Sequence, residues 1–450
     1  MHRLKGIHNA YIFQIFNAIS WMIALGAPLI LLVKFLKASA TEIGILTALP
    51  PLLVMLQLPA SHYVERIGFK KMMMFGWSGR AFFILIMAIT PLFSRSVSNH
   101  FLVLTIIFSL FMFSLLRGFT SCAWMPWISS IIPNDFRGHY VAREQFSINV
   151  TGFFLFIILG LFIGKNTDAL HFSIIFTIST ISAFVSTIFL NKIPSPPEII
   201  EENNNLNLSS SIKTILKDKT FRIFMLFAIF VSFSLSSIGS FTILFLKDRL
   251  NLPENFILYF SALSTLGVLL SVLFWGKISD YFGSKPIVTI NLFGIIAYLL
   301  TFFLFSSKVL PSGIGAIAIV YLFMGITGGG YTVAYLKLSM NTVPEERPAV
   351  AFAVLSFISS IVTSTVPVIW GIIIDHLEGF HYKIYIFNLS SFSFLYLTSA
   401  FGLIIALIIL RFLKEHKAEK TTRVFYKLTV EFPLRVVNSI FLYFTNTEKK

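Results

Sequence analysis

The sequence predicts an all-α integral membrane protein in which twelve transmembrane helices form two six-helix bundles. Three observations lead to this fold class: a shortage of charge, twelve long apolar runs, and a loop pattern that occurs once in each half. Hydrophobic residues make up 56% of the chain and charged residues 12%, whereas soluble domains carry about a quarter charged residues. So few charges cannot cover a globule of 450 residues with polar surface. Lipid is therefore the expected solvent.

The twelve apolar runs have the length that a membrane crossing requires. A helix that crosses about 30 Å of hydrocarbon needs roughly 20 apolar residues. The runs form two sets of six and cover residues 11–36, 43–64, 72–93, 101–132, 146–164, 172–190, 221–246, 256–275, 287–305, 314–340, 349–374 and 384–410. The first run is too long for the core of a signal peptide, so we expect it to remain in the protein as a span.

The runs divide the chain into four regions. We predict an N-terminal six-helix bundle at 1–191, a linker at 192–220, a C-terminal six-helix bundle at 221–410 and a basic tail at 411–450. The linker is too polar to cross the membrane and too poor in apolar residues to form a core. The tail contains Pro433 and then an apolar stretch at 436–444, which indicates either an interfacial segment on the membrane surface or a disordered tail.

Lysine and arginine residues are divided unevenly between the two membrane sides. They cluster on the side that would hold both termini, whereas the opposite side holds only Lys34, Lys37, Arg95, Lys165, Lys247, Arg249, Lys308 and Lys383. An excess of positive charge in short loops marks the cytoplasmic side. We therefore predict a multi-pass protein of the cell membrane with the termini, the linker and the tail in the cytoplasm. The net charge of +15 reflects this topology and does not indicate a surface for nucleic acid.

The loop that follows the second apolar run has a counterpart after the eighth. Glu65 precedes Gly68 by three residues in the first loop, and Asp280 precedes Gly283 by three in the second, with a lysine two positions after each glycine. The single cysteine, Cys122, excludes a disulfide framework as the organising principle. Parallel repeats of six helices are one of the architectures that support alternating access.

These loops carry a resemblance to the major facilitator superfamily that extends over nearly the whole chain. Two segments are similar to its signature loop and to the first-half copy of that loop: Gly276-x-x-x-Asp280-x-x-Gly283-x-Lys285 and Glu65-Arg66-x-Gly68. The resemblance implies a secondary transporter in which helices 1, 4, 7 and 10 line a central cavity. The chain departs from the family pattern where the usual Gly, Asp and Arg are replaced by Ser61, Glu65 and Tyr281. These replacements predict a looser contact in the first half.

The same loops suggest a conformational latch. A tight turn between two helix ends needs a residue that adopts positive φ, as glycine does readily. An acid beside it accepts hydrogen bonds from a helix N-terminus or pairs with a nearby cation. Further loops after the fourth and tenth runs each place a proline ahead of an arginine. We predict that the latch comprises Glu65, Arg66, Gly68, Arg137, Asp280, Gly283, Lys285 and Arg347. The alternative is that the basic residues serve membrane topology alone.

Three basic residues lie inside the apolar runs, and the acidic residues are expected only in loops and at span ends. A charge at the bilayer centre costs about 2.5–3.5 kcal/mol on insertion scales, so each basic residue requires an explanation. Lys337 lies near the cytoplasmic end of its run and can extend to the interface. Arg80 lies roughly 14 Å from Lys71 at the helical rise, and partial extension and a buried role are both open.

Arg117 is the most deeply placed of the three. It lies roughly 24 Å along the fourth run from Phe101 and begins the segment Arg117-x-x-Thr120-Ser121-x-Ala123. This segment is similar to a helix 4 motif of proton-coupled superfamily members, with Ser121 in place of Gly. The resemblance implies that Arg117 faces the central cavity. The alternative is a structural tie in which Arg117 bonds to adjacent helices.

Polar side chains on the presumed cavity helices complete the predicted site. They are amides in the first run and hydroxyls in the seventh and tenth: Gln14, Asn17, Ser236, Ser240, Tyr331 and Tyr335. Such groups suit hydrogen-bonded recognition of a small polar solute, although serines in membrane helices usually bond their own backbone. The excess of buried positive charge favours a substrate that is anionic or rich in acceptors. The glycines at 328–330 indicate either a bend or a close helix crossing.

The sequence therefore predicts a secondary transporter rather than an enzyme. Its partners would be a small-molecule substrate, the lipid bilayer and a coupling ion, a proton or another, and not nucleic acid. The alternatives are a membrane-embedded enzyme acting on lipid-linked substrates and a transporter-derived sensor. An enzyme would need a base or a metal cluster, and neither His62 nor His139 has a spaced partner acid or cysteine. We expect no catalytic residue, metal or cofactor, and the phosphate-binding loop of ATP-driven pumps does not occur in the sequence.

The predicted topology can be checked with accessibility tags. Tags at either terminus and near Asn204 are expected to report the cytoplasm, because the positively charged loops lie on that side. A tag inserted after Pro311 is expected to report the outside. Accessibility of each tag to a membrane-impermeant reagent in intact cells is the measurement. A cytoplasmic signal from the Pro311 position would contradict the twelve-span topology.

Overall fold

The computed structural model describes residues 7–132, 134–164, 167–195, 215–344, 348–413, 415 and 418–427. Within them, twelve helical segments are long and apolar enough to cross a membrane, and they are numbered spans 1 to 12: His8–Phe35, Ala40–Ala60, Phe69–Phe93, Asn99–Ile131, Tyr140–Ile163, Ala169–Lys192, Lys219–Asp248, Glu254–Phe282, Ser284–Ser306, Ile314–Thr342, Val350–His376 and Ser391–Phe412. The predicted α-helical class and the twelve predicted spans are confirmed.

Most spans contain one α-helix, and four contain two. In chain order the helices are α1 (Ile7–Leu25) and α2 (Ala27–Phe35) in span 1, α3 (Ala40–Val54) and α4 (Gln57–Ile67) in span 2, α5 (Phe69–Ile89) in span 3, α6 (Asn99–Thr120) and α7 (Trp124–Ile131) in span 4, α8 (Asn134–Ile163) in span 5, α9 (Ala169–Lys192) in span 6, α10 (Lys219–Leu235) and α11 (Ile238–Asp248) in span 7, α12 (Glu254–Phe282) in span 8, α13 (Ser284–Ser306) in span 9, α14 (Ile314–Thr342) in span 10, α15 (Pro348–His376) in span 11, α16 (Ser391–Phe412) in span 12, and α17 (Thr421–Tyr426) beyond it.

The starts of spans 5 and 12 differ from the predicted ranges by six and seven residues. Span 12 begins at Ser391, because strands β1 (Tyr382–Ile384) and β2 (Phe387–Leu389) form an antiparallel hairpin where the apolar run begins. Span 5 begins earlier than predicted, since its helix continues through the polar residues ahead of the apolar run. That extension places Glu144 inside the span with 6% of its surface exposed. The expectation that acids lie only at span ends and in loops therefore missed a buried carboxylate.

Four of the described spans are interrupted: spans 1, 2, 4 and 7. Proline residues explain the interruptions in spans 1 and 2. Span 1 breaks at Gly26, where Pro28 occupies the first turn of the second helix. Pro50 and Pro51 precede the break in span 2, and proline removes a backbone donor and crowds the preceding turn. A 3₁₀ turn over Ser121–Ala123 divides span 4. Interrupted backbone is tolerated at membrane depth where protein or an aqueous cavity covers it.

The two repeated loops contain the glycine turns that their sequences predict. Gly68 joins spans 2 and 3 with φ of 85°, and Gly283 joins spans 8 and 9 with φ of 92°. Both values lie in the left-handed region that glycine adopts without strain. A side chain at Gly283 would also contact Ala418 beyond span 12.

The spans pack in two groups that follow chain order. In the first half, span 1 packs against spans 5 and 6, and span 3 packs against spans 4 and 6. In the second, span 7 packs against span 12, and span 10 packs against spans 8 and 9. Glycines allow close approach at two crossings: Gly118 of span 4 faces the backbone of Leu53 on span 2, and Gly325 of span 10 faces that of Ser264 on span 8.

The halves meet along two helix pairs, span 2 with span 11 and span 5 with span 8. We call the membrane side on which span 1 begins the terminus side and the opposite one the far side. Asp375, at the far end of span 11, accepts hydrogen bonds from the backbone N–H groups of Ala40 and Thr41, both at 2.8 Å. These donors form the N-terminus of span 2, where a carboxylate also gains from the helix dipole. The acid of one half thus caps a helix of the other.

Further polar contacts between the halves lie on the same side. Lys34 pairs with Asp248 at 2.7 Å, and Thr167 donates to Glu254 at 3.1 Å. Deeper in the membrane, the hydroxyls of Thr47 and Ser240 lie 2.8 Å apart. Glycines on spans 2 and 11 permit direct backbone approach in this region, since a side chain at Gly44 would meet the carbonyl of Pro367. These contacts close the space between the halves toward the far side.

Replacement of Asp375 tests this closure. Asp375→Leu removes the acceptor for Ala40 and Thr41, so we expect the far side to open more often. Capping contacts of this kind contribute about 1–2 kcal/mol, which corresponds to about a 5- to 30-fold change in population. Distances between spin labels at Arg95→Cys and Glu378→Cys, in a Cys122→Ser background in nanodiscs, measure the change.

The matched control for that experiment is Asp168→Leu. Asp168 caps span 6 through the N–H of His171 at 3.0 Å, so its contact stays within one half. The control is expected to leave the label distances as in the unmodified protein. Equal distance distributions in the Asp375 and Asp168 variants would show that the Asp375 cap does not hold the halves together.

Candidate functional site

A cavity of about 170 Å³ lies within the first half. Aromatic and polar side chains from spans 1, 3 and 4 surround it: Phe13, Gln14, Asn17, Trp21, Trp77, Arg80, Arg117, Ser121 and Trp124. Three of the predicted site residues, Gln14, Asn17 and Arg117, therefore line one space. Arg80, for which extension to the interface was an open interpretation, lines the same space.

Asn17 is the centre of the polar contacts around this cavity. Its side-chain oxygen accepts from Trp77 Nε1 at 3.1 Å and from Arg80 Nη2 at 2.9 Å. Its Nδ2 group donates to Gln14 Oε1 at 3.1 Å. Indole and guanidinium groups can only donate, so the Asn17 oxygen must face span 3 and its nitrogen must face Gln14.

Arg80 is held inside the bundle by several contacts. Only 3% of its surface is exposed, and its guanidinium lies 4.0 Å from the centre of the Trp77 ring and 5.0 Å from that of Phe113. Cation–π contacts of this kind contribute about 2 kcal/mol or more where water is excluded. Its Nε atom is buried without a hydrogen-bond partner among the described residues. Arg80 therefore does not extend to the membrane interface, and part of its donor capacity is unused.

Arg117 lines the cavity in a different way. Its surface is partly exposed, and its guanidinium makes no hydrogen bond or ion pair with another described residue. The structural-tie interpretation required such a partner. One helical turn further along, Ser121 accepts a hydrogen bond from Gln57 at 2.8 Å, which ties the break in span 4 to the start of α4. The Arg117 donors thus face the cavity with no protein acceptor in the described chain.

A buried carboxylate that sequence reasoning missed lies next to this site. Glu144 on span 5 accepts from Gln14 Nε2 at 2.5 Å and from the Tyr140 hydroxyl at 3.4 Å. The apolar run that defined the fifth predicted span starts two residues later, so Glu144 was assigned to a span end. Tyr140 and Glu144 are four residues apart and share one helix face, and that spacing was the available signal.

These contacts form one continuous hydrogen-bonded chain. It runs from Glu144 on span 5 through Gln14 and Asn17 on span 1 to Arg80 on span 3. A carboxylate stands at one end and a guanidinium at the other, with two carboxamides between them. Chains of hydrogen bonds polarise one another in a medium of low dielectric. Glu144 and Arg80, at the two ends of this hydrogen-bonded chain, are therefore coupled electrostatically.

The tyrosines predicted for the site lie in the other half. The rings of Tyr331 and Tyr335 are 5.4 Å apart, and Tyr335 stacks on Phe224 of span 7 at 5.5 Å. Neither tyrosine lines the cavity around Arg117. Ser240 bonds to Thr47 across the halves, as described above, whereas the Ser236 hydroxyl is buried without a partner in the described chain. The structure therefore divides the predicted site between an arginine cavity and an aromatic cluster.

The loop between spans 8 and 9 makes its contacts inside the second half. Asp280 pairs with Lys337 of span 10 at 2.6 Å, and Lys337 also donates to the Ser279 carbonyl at 2.9 Å. Lys337 is thus an ion-pair partner in addition to lying near the interface. Lys285 donates to the carbonyl of Leu413 at 2.6 Å. Glu415 accepts from the Lys285 backbone at 2.7 Å, so residues beyond span 12 also contact the loop.

The counterpart residues in the first half are less fully described. Arg66 is exposed at the end of α4, next to the Gly68 turn. The side chains of Glu65 and Arg137 lie outside the described part of the structure, and so does Arg347. The latch assignment of these three residues stays a prediction.

The sequence model of the major facilitator superfamily matches residues 10–367 of this chain. The chain belongs to the major facilitator superfamily. No curated protein matches its sequence. Membership and the transporter fold support a secondary transporter, and they point away from an enzyme. The broad class predicted from the paired loops is thereby confirmed.

Solved structures of superfamily transporters share this fold over almost their full length. A mutant of the nucleoside transporter NupG is 13% identical with a TM-score of 0.69, covering 91% of this chain and 99% of that one. The xylose transporter XylE from E. coli, in an inward-open conformation, is 14% identical with a TM-score of 0.67, covering 92% and 98%. A bacterial homologue of the iron transporter ferroportin, in an inward-facing state, is 13% identical with a TM-score of 0.65, covering 91% and 98%. At these identities the likeness concerns the fold alone.

Because Asn17 accepts hydrogen bonds from both Trp77 and Arg80, its replacement is expected to lower the stability of the protein strongly. Asn17→Leu removes the acceptor for both Trp77 and Arg80, and a buried charged donor without a partner costs about 3–5 kcal/mol. We expect a clear loss of thermal stability in detergent. Asn17→Asp is expected to retain more stability than Asn17→Leu, because a carboxylate accepts from both donors.

The control for this comparison is Asn149→Leu on span 5. Among the described residues Asn149 donates only to the Gln145 carbonyl of its own helix, at 2.8 Å, so we expect a change of less than about 1 kcal/mol. Melting curves followed by tryptophan fluorescence report all three variants. If Asn17→Leu melts at the temperature of the unmodified protein, the hydrogen bonds that Asn17 accepts do not stabilise the bundle.

Proposed function

We propose that this protein is a secondary transporter of the cell membrane that moves a small anionic solute by alternating access. The two moving units are the six-helix bundles at 1–191 and 221–410, joined by the cytoplasmic linker at 192–220. Lys34, Arg95, Lys247 and Arg249 belong to the sparse positive charge of the far side, and the denser charge of the terminus side supports its assignment to the cytoplasm. The basic tail from 411 onward lies on that side.

The contacts between the halves support a conformation closed toward the outside. Asp375, Lys34 and Thr167 each join the halves on the far side, at 2.8, 2.7 and 3.1 Å from their partners. With cytoplasmic termini, the far side is extracellular. Transport then requires that these contacts separate while contacts on the terminus side form.

Arg117 is the observation that carries the substrate class. A guanidinium without a protein acceptor in the described chain faces a cavity that already contains the guanidinium of Arg80. Two cations in a region of low dielectric produce a strong positive potential. A carboxylate or phosphate can accept two parallel hydrogen bonds from Arg117. The indoles of Trp21, Trp77 and Trp124 surround the same space, so the remainder of the solute would be apolar or aromatic.

We assign the Asp280–Lys337 pair and the Gly283 turn to the conformational latch of the second half. The pair joins spans 8 and 10 at the cytoplasmic end, and the turn fixes where span 9 begins. The corresponding latch of the first half comprises Glu65, Arg66, Gly68 and Arg137. Lys285, beside Gly283, and Arg347, after span 10, complete the latch of the second half. A latch of this kind controls exchange between states rather than substrate affinity.

Arg117 variants test the proposed function. We expect Arg117→Lys to lose about tenfold or more in anion affinity, because lysine keeps the charge and loses the paired geometry. Arg117→Ala is expected to lose nearly all binding. Uptake into proteoliposomes of a panel from acetate and inorganic phosphate to benzoate and indole-3-acetate is the measurement, with melting temperature followed in parallel.

Arg95→Lys serves as the matched control, since Arg95 is exposed in the loop between spans 3 and 4. It should transport as the unmodified protein does. A well-folded Arg117→Ala protein with normal uptake would remove Arg117 from the site. Failure of the unmodified protein to transport any anion in the panel would count against the anionic class.

A further inference from the structure

The buried carboxylate of Glu144 has no place in a simple anion site. It lies at the end of the hydrogen-bonded chain whose other end is Arg80, and 6% of its surface is exposed. A negative charge on Glu144, which hydrogen bonds link to Arg80, competes with an anionic solute for the positive charge of Arg80. A buried ionisable group inside a membrane span is also expensive. Direct contact with the anion therefore does not account for Glu144.

The direction of every hydrogen bond in the chain is fixed from the Arg80 end. Trp77 and Arg80 donate to Asn17 Oδ1, so Asn17 Nδ2 donates to Gln14, and Gln14 Nε2 donates to Glu144. Glu144 is therefore an acceptor at the Gln14 contact, and an ionised carboxylate makes that bond about twice as strong as a neutral acceptor does. The negative charge at Glu144 thus strengthens the hold of Asn17 on Arg80 through the polarised chain.

The ionisable groups around Glu144 offer it no cation at contact distance in the described chain. On its own helix Tyr140 donates to it, while Arg143 lies over the ring of Tyr11, 5.1 Å from its centre. Tyr11 of span 1 packs on Tyr140 with ring centres 5.0 Å apart. Spans 6 and 8 also pack against span 5, and their ionisable residues include pairs formed elsewhere: His171 with Asp168, Glu254 with Lys247, and Asp280 with Lys337.

We propose that Glu144 is the proton-binding residue of the transport cycle and that it takes up a proton together with the anion. This rests on the proposed function of Arg117 and Arg80 as the anion site. With Glu144 ionised, Arg80 is partly neutralised through Gln14 and Asn17. With Glu144 protonated, the hydrogen-bonded chain carries no negative charge. The positive charges of Arg80 and Arg117 then attract the solute without that competition. Glu144 acts through Gln14 and Asn17, so it is a positioning residue rather than a substrate contact.

The step itself is a simple proton transfer. A proton from water on the open side forms an O–H bond with the carboxylate oxygen, and no other bond forms or breaks. Protonation removes one negative charge, so the site gains affinity for an anion. By linkage the anion raises the proton affinity of Glu144 by the same factor. Anion affinity therefore rises as pH falls, and the proton and the anion move in the same direction.

Calorimetric binding of benzenesulfonate to the full-length protein in nanodiscs tests this proposal. The sulfonate stays ionised between about pH 5 and about pH 8, so any pH dependence belongs to the protein. We expect affinity in the unmodified protein to rise by about fivefold or more toward the lower pH. Glu144→Gln mimics the neutral carboxyl, and it is expected to show the higher affinity across the whole range. A purely structural role predicts reduced affinity in Glu144→Gln instead.

Two further variants complete the test. Glu144→Asp keeps a titrating carboxyl and is expected to retain the pH dependence. Glu378→Gln removes an exposed glutamate two residues beyond the far end of span 11 and should behave as the unmodified protein. Melting temperatures of all variants establish that each is folded.

The infrared absorption of protonated carboxyl groups supplies a readout that needs no anion. The pH-difference spectrum should contain a carboxyl band that is lost in Glu144→Gln and kept in Glu378→Gln. Absence of that band, or benzenesulfonate binding that does not change with pH, overturns the proposal while the anion transporter stands. A Glu144 band in a protein that binds no anion at either pH supports the proton site and counts against the anion site.

Discussion

The placement of Arg80 is the constraint on which the first half depends. A guanidinium inside lipid-embedded protein needs compensation on several faces, because the loss of hydration would otherwise cost several kcal/mol. The fold supplies it with two aromatic rings and one carboxamide oxygen from Asn17. The partners come from spans 1, 3 and 4, so the side-chain contacts of one charge join these three spans. The cavity is the space that remains beside that arrangement.

The contacts between the halves change with depth: charged groups form them near the far surface, and uncharged groups form them deeper in the membrane. Near the far surface, Asp375 and Lys34 reach polar partners across the halves without full burial. At mid-depth the halves approach through glycine and hydroxyl groups, as at Gly44 and Thr47. Ion pairs that are partly exposed are weak individually. Such contacts stabilise one state by a small margin, and a protein that alternates between states requires a margin of that size.

Features that depend on composition over many residues could be predicted from the sequence, whereas features that depend on contact could not. Long apolar stretches located the spans, and the spacing of Gly68 and Gly283 identified their turns. Glu144 was missed because the helix of span 5 begins before its apolar run, and because its burial depends on hydrogen bonds from Gln14 of span 1 and from Tyr140. The division of Tyr331 from the arginine cavity likewise depends on packing between spans, which the periodicity within one helix does not contain.

The two arginines of the cavity differ in how firmly the protein holds them. Arg80 has contacts with Trp77, Phe113 and Asn17, whereas Arg117 has no polar partner in the described chain. Arg117 also lies one turn before the 3₁₀ break in span 4. Arg117 lies on the same helix as Phe113, which packs on Arg80, so a change of angle at that break would move Trp124 of α7 relative to both arginines. Because Trp124 lines the cavity, the shape of the cavity is linked to the shape of span 4, which makes the site sensitive to conformation.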